Sequence, residues 1–188
     1  MTPREIAALV GDALTAVGVP YFVTGSVASM WYGEARLTLD VDVVVDLKCE
    51  QVAAFAARFP SDEFYCDETS LLTMARLGGS SNIIHLSSTI KADLIRLSAL
   101  RFQQEVLTRA KPVEILPGRS VVMSSAEDVI INKLLFYDEG KSDKHLRDIA
   151  GILRAQGPAI DRAYIDLWAD RFDVAHHWGA VQQRASMR

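Results

Sequence analysis

Ile6, Leu9, Val10, Ala13, Leu14 and Val17 recur at three- and four-residue steps and stop at Gly18. That spacing puts them on one stripe of a helix over residues 2–17. After Pro20 the period changes. Tyr21-Phe22-Val23 is a short β-rich run, and Thr24-Gly25-Ser26 supplies turn and N-cap chemistry for a helix over 27–32. Residues 39–47 are dense in valine and alternate strictly at Asp40-Val41-Asp42-Val43, the pattern of a central strand with one polar face. Further along, 50–59 reads as a helix, 63–66 as a strand, and 69–77 as a helix or structured loop before Gly78-Gly79-Ser80-Ser81. Residues 82–86 and 91–97 read as strands joined by a Ser-Ser-Thr turn. A helix over 99–108 precedes a hairpin, 113–116 and 120–123, around Pro117-Gly118-Arg119. Ser125, with Asp128 three positions on, resembles a capping box with Asp in place of Glu and opens a helix through Phe136. Helices over 144–155, 163–172 and 175–185 complete the chain. The expected fold class is α+β: a mixed sheet flanked by helices within residues 1–123, and a C-terminal helical extension, 124–188, packed on that core.

Composition narrows the function classes. At 188 residues the chain suits one core with a helical appendage, and 49% hydrophobic with 23% charged residues is ordinary globular usage. Charges interrupt the apolar stretches well short of a membrane span, and Arg4, Glu5 and Asp12 break up the N-terminus, so neither a transmembrane helix nor a secretory signal is expected. Cys49 and Cys66 lack metal or redox spacing and read as reduced thiols, which implies a cytoplasmic protein. A net charge of -4 argues against general duplex DNA binding.

The chemistry is concentrated in two short segments. Asp40 and Asp42, two apart on a strand, place both carboxylates on one face. Like charges that close call for a compensating cation, and a hard divalent ion such as Mg²⁺ suits two carboxylates plus phosphate oxygens. Alone, the pair reads as a solvated strand face. Gly25-Ser26 lets the backbone approach a phosphate at a helix N-terminus. Alone, that turn is a plain helix cap.

Taken together, Thr24-Gly25-Ser26-Val27-Ala28 followed by Gly33, Arg36, Thr38, Asp40 and Asp42 resembles the polymerase-β-type nucleotidyltransferase superfamily. Within it the form is similar to AbiEii-type minimal nucleotidyltransferases of toxin-antitoxin systems. The resemblance covers residues 20–46, with a similar helical segment from Ala126-Glu127-Asp128 through Lys133 to Asp148, and Ser26 stands where a second glycine is usual. It implies a nucleotidyltransferase fold and transfer of a nucleoside monophosphate from an NTP to an acceptor hydroxyl, with loss of pyrophosphate. It also implies a third carboxylate on a later strand, best matched by Asp93. In that reading Asp40, Asp42 and Asp93 are the metal and catalytic residues with Mg²⁺, Asp93 serving as general base. Gly25, Ser26, Arg36 and Lys133 face the nucleotide.

Each of the later positions has a plainer reading: Asp93 as a surface acid, Arg36 as a partner of Glu34 or Asp46, and Lys133 as a solvated lysine. Asp143, Arg147 and Asp148 read as capping and i,i+4 pairing. His176 and His177 diverge by about 100° on a helix, so no zinc site is expected. Trp31, Trp168 and Trp178 read as packing residues. Two functions follow: a Mg²⁺-dependent nucleotidyltransferase acting on a small molecule, protein or RNA end, or a binding or regulatory protein of the same fold, with a protein partner and little turnover.

Overall fold

The computed structural model describes residues 1–186, with side chains through Gln183. The elements are α1 (Pro3–Ala16), β1 (Tyr21–Thr24), α2 (Gly25–Tyr32), β2 (Asp40–Val45), α3 (Val52–Ala56), β3 (Phe64–Cys66), α4 (Glu68–Leu77), β4 (Ser80–His85), β5 (Lys91–Arg96), α5 (Arg101–Arg109), β6 (Lys111–Leu116), β7 (Arg119–Met123), α6 (Ala126–Gly140), α7 (Asp143–Gln156), α8 (Arg162–Arg171) and α9 (Ala175–Ser186). They form two compact units. One holds Met1–Val27 and Leu37–Ser124; the other holds Ala28–Arg36 and the chain from Ser125 onward. The division passes through α2, so residues 28–36 group with the C-terminal helices.

The first unit is built on a seven-stranded mixed sheet in the order β3-β4-β5-β2-β1-β7-β6. β2 runs parallel to β5 and antiparallel to β1, and β1 runs parallel to β7. Val41, Val43 and Val45 point to one face and are fully buried, as are Val23, Ala92 and Leu94, which share that face. On the same side Tyr21 lies against Gly11 of α1, where an added methyl would sit 2.6 Å from the Tyr21 oxygen. α1 starts from a capping box: Glu5 N donates to Thr2 and Thr2 N donates to Glu5. Its stripe of Ile6, Val10, Ala13 and Leu14 is buried.

Three local readings are sharpened by pairing. Residues 68–77 form a regular helix, capped by Asp67, whose carboxylate accepts from Ser70 N. Gly78 and Gly79, both at positive φ, make the turn, whereas Ser80 and Ser81 already belong to β4 because they pair with Ile95 and Leu94. Ladder bonds there outweigh the serines' turn preference. Pro112 sits inside β6, which is tolerated because β6 is an edge of the sheet.

In the second unit α6 packs on α7 and α8, and α9 packs on α7 and α8. Ser125 caps α6: its hydroxyl accepts from Asp128 N and donates to the Asp128 carboxylate. Asp128 is fully buried and also accepts from the Tyr164 hydroxyl at 2.9 Å. α6 continues to Gly140, one turn past the helix expected from periodicity. Gly33 is needed where it is, because a Cβ would lie 2.8 Å from the Ile152 amide nitrogen of α7. Among the described residues no helix is long and apolar enough to cross a membrane.

Candidate active site

The register of four strands decides what lies next to what. Thr24 on β1 pairs with Asp42 on β2, Asp42 with Asp93 on β5, and Asp93 with Asn82 on β4. Directly paired residues project to the same face, so one polar row, Thr24-Asp42-Asp93-Asn82, crosses the sheet opposite the valine face. One step along, Asp40 pairs with Lys91. The carboxylates of Asp40, Asp42 and Asp93 are therefore neighbours on strands about 4.8 Å apart.

Lys91 compensates part of this charge. Its ammonium lies 2.9 Å from Asp93 Oδ2 and 3.7 Å from Asp40 Oδ1. The hydrogen bond to Asp93 raises the lysine pKa above its ordinary value. Lys91 was not singled out in the sequence, although i,i+2 alternation with Asp93 carried the signal. Thr24 and Asn82 were missed for a different reason: only the strand register brings them into the row.

The glycine turn sits directly on the row. Gly25 opens α2 with φ +63°, a left-handed conformation that disfavours any side chain. A Cβ there would lie 1.9 Å from Asp42 Oδ2 and 2.6 Å from its Cγ. The Asp42 carboxylate thus occupies the space glycine vacates, and Ser26 follows in the first turn of α2. The Thr24 hydroxyl, buried in the same row, has no hydrogen-bond partner among the described residues. A hard-oxygen donor set, a cradle that a methyl would fill and a buried unpaired hydroxyl fit a magnesium ion and phosphate oxygens.

The other two expected nucleotide residues lie in the second unit, on Asp148 of α7. Arg36 donates to Asp148 through Nε at 3.0 Å and Nη2 at 3.2 Å, and Lys133 of α6 donates at 2.6 Å. The Lys133 and Asp148 side chains are 5% and 8% exposed, so this is a buried ion pair rather than a solvated lysine. Burial pushes the Asp148 pKa up, but hydrogen bonds from Arg36 and Lys133 outweigh it and hold the carboxyl below its ordinary value. Asp148 accepts from α6 and from the 28–36 segment, a tie that local capping and i,i+4 pairing do not describe. Glu34 pairs with Arg154.

No protein-family profile matches the sequence, and no curated protein matches it. Solved structures do. The chain is similar to ANT(2″)-Ia in complex with adenylyl-2″-tobramycin, with a TM-score of 0.60 and 14% identity over 90% of this chain and 98% of that one. It is similar to an antigenic nucleotidyltransferase-like protein from Paracoccidioides brasiliensis, with a TM-score of 0.55 and 15% identity over 96% and 92% of the two chains. A solution structure of the antibiotic-resistance factor ANT(2″)-Ia aligns over the whole of both chains with a TM-score of 0.54 and 12% identity. The fold is that of nucleotidyltransferase-like proteins.

Proposed function

We propose that this protein is a Mg²⁺-dependent nucleotidyltransferase that moves a nucleoside monophosphate from an NTP to an acceptor hydroxyl and releases pyrophosphate. The observation that carries the reading is the contact of Asp42 with the Gly25 turn, inside a row where Asp42 and Asp93 are directly paired and Asp40 is one step away. Neither half is distinctive alone. Their juxtaposition, a helix start beside a carboxylate cluster, supports a site for a metal-bound triphosphate.

Asp40, Asp42 and Asp93 would hold the metal, which when bound offsets the charge of the triphosphate and of the departing pyrophosphate. Without a cation, three carboxylates would repel that substrate. Gly25 and Ser26 present the start of α2 to phosphate oxygens, where free N–H groups and the helix dipole favour negative charge. Asp93 takes the proton of the acceptor hydroxyl as the new P–O bond forms. Lys91, hydrogen-bonded to Asp93, offsets part of the carboxylate charge until the metal takes its place. Thr24 offers a buried hydroxyl to the same oxygens. ANT(2″)-Ia is seen with an adenylylated tobramycin, which supports a small hydroxyl-bearing acceptor here. The Gly25-to-Asp42 motif supports kinship with AbiEii-type proteins, and the two free cysteines suit a reducing cytoplasm. Arg36 and Lys133 have Asp148 as a partner, and the proposal does not depend on their reaching the nucleotide.

The test is calorimetric titration of Mg²⁺ with each of the four NTPs into wild type and an Asp40→Ala, Asp42→Ala double variant. Acceptor screening with α-labelled NTPs follows. Metal-dependent binding that vanishes in the variant is expected. A folded wild type that binds no NTP would overturn the enzymatic reading in favour of a regulatory protein of the same fold.

A further inference from the structure

The end of α6 and the start of α9 bring together three metal-binding side chains far apart in sequence. One ligand atom from each of Asp138, His176 and His177 lies within 4.8 Å of the other two. His177 Nε2 is 2.8 Å from Asp138 Oδ1, and the two imidazole rings stand side by side with centroids 3.8 Å apart. The expectation that adjacent histidines diverge concerned the directions in which they leave the helix. At the first turn of α9 a ring nitrogen of each nonetheless comes within 4.8 Å of the same carboxylate. The Tyr137 ring meets His177 edge-on at 4.9 Å and backs it on the α6 side.

We propose that Asp138, His176 and His177 form a binding site for a borderline divalent metal ion of the zinc, cobalt or nickel type. The site is separate from the carboxylate row and does not rest on the nucleotidyltransferase reading. Two imidazole nitrogens and one carboxylate oxygen are the donor set for such ions, whereas Mg²⁺ prefers oxygen alone. With metal–ligand bonds of about 2.0–2.2 Å, tetrahedral ligands stand about 3.3–3.5 Å apart, so small rotations of these side chains suffice. Water completes the coordination, because Asp138 and His176 are exposed.

Lys141 sharpens the proposal. It ends α6 in the left-handed conformation, with φ +49°, and sets its ammonium 2.7 Å from Asp138 Oδ1 and 3.4 Å from His177 Nε2. A cation thus already sits on two of the three ligands. Its side chain is 58% exposed and flexible, so a metal ion displaces it into water. Metal binding therefore competes with Lys141 and ties α9 to the end of α6.

The experiment titrates Co²⁺ and Zn²⁺ into the full chain and follows visible Co²⁺ absorption, calorimetric stoichiometry and the melting temperature. The wild type is compared with His176→Ala, His177→Ala, Lys141→Met and the Asp40→Ala, Asp42→Ala variant. Circular dichroism checks the fold of each. The expected result is one ion per chain bound through the histidines in the Asp40→Ala, Asp42→Ala variant, where the carboxylate row no longer takes up the metal. Affinity should fall at least tenfold in each histidine variant and rise several-fold in Lys141→Met. Binding that is indifferent to both histidines, or no binding by folded wild type at millimolar metal, would overturn the proposal.

Discussion

Gly25→Ala separates backbone strain from the contact on which the site reading depends, because the chain contains its own control. Gly18 has φ +69° with nothing within 4 Å of an added Cβ, whereas Gly25 has φ +63° with Asp42 Oδ2 at 1.9 Å. Both substitutions meet the left-handed penalty of about 1–2 kcal/mol. Only Gly25→Ala must also move a carboxylate whose backbone is fixed by pairing to Thr24 and Asp93. Forcing that side chain off its rotamer adds about 0.5–1.5 kcal/mol, and separating it from its present surroundings adds about as much again. Gly18→Ala should therefore cost about 1–2 kcal/mol and Gly25→Ala about 2–5 kcal/mol. At roughly 2–4 °C per kcal/mol for a chain of this size, the melting point of Gly25→Ala should fall by about 4–20 °C. Gly18→Ala should keep wild-type Mg²⁺-NTP affinity, while Gly25→Ala loses it because Asp42 is displaced. Parallel thermal melts and calorimetric titrations provide the comparison. If Gly25→Ala melts no lower than Gly18→Ala and binds Mg²⁺-NTP like wild type, the contact between turn and carboxylate does not organise the site.

Asp148→Asn leaves buried Lys133 facing a neutral group, and losing one partner of such a pair costs about 3 kcal/mol at neutral pH. Because the folded carboxyl titrates below its ordinary value of 3.8, its contribution is complete above that pH and is lost as the pH falls through the folded value. Chemical denaturation of wild type and variant should thus differ by a constant amount above pH 4 and converge below it; a gap unchanged down to pH 2 contradicts the ion-pair account. Lys91→Met removes an ammonium from Asp40 and Asp93, so Mg²⁺ in the absence of nucleotide should bind about fivefold more tightly, the equivalent of about 1 kcal/mol for a partly exposed pair. Weaker binding by calorimetry would mean that Lys91 organises the carboxylates rather than competing with the ion. Tyr164→Phe takes a 2.9 Å hydrogen bond from fully buried Asp128 and should destabilise by about 2 kcal/mol in urea titration, with nucleotide affinity unchanged. A loss below a few tenths of a kcal/mol would show that Asp128's other contacts satisfy it.

The sequence alone determined those features whose physics is local. Valine alternation around Asp40 and Asp42 made a strand with a carboxylate face, because side chains alternate with a period of two. Three- and four-residue apolar spacing made α1, and Gly25-Ser26 marked a strand turning into a helix. With the motif they form, these residues led to a nucleotidyltransferase-like fold, which the solved structures share. Tertiary structure decided what touches what. The Asp42–Asp93 pairing depends on the register between β2 and β5, 51 positions apart, and periodicity along either strand is blind to register. The intrusion of Asp42 into the space beneath Gly25 depends on β1 lying beside β2. Asp148 could pass for a capping residue until packing of α6, α7 and the 28–36 segment set Lys133 and Arg36 around it. His176 and His177 diverge as helix positions, and only the approach of α9 to the end of α6 turns both rings toward Asp138. Local pattern specifies elements and their faces, whereas contacts between distant residues follow from how those faces are packed against one another.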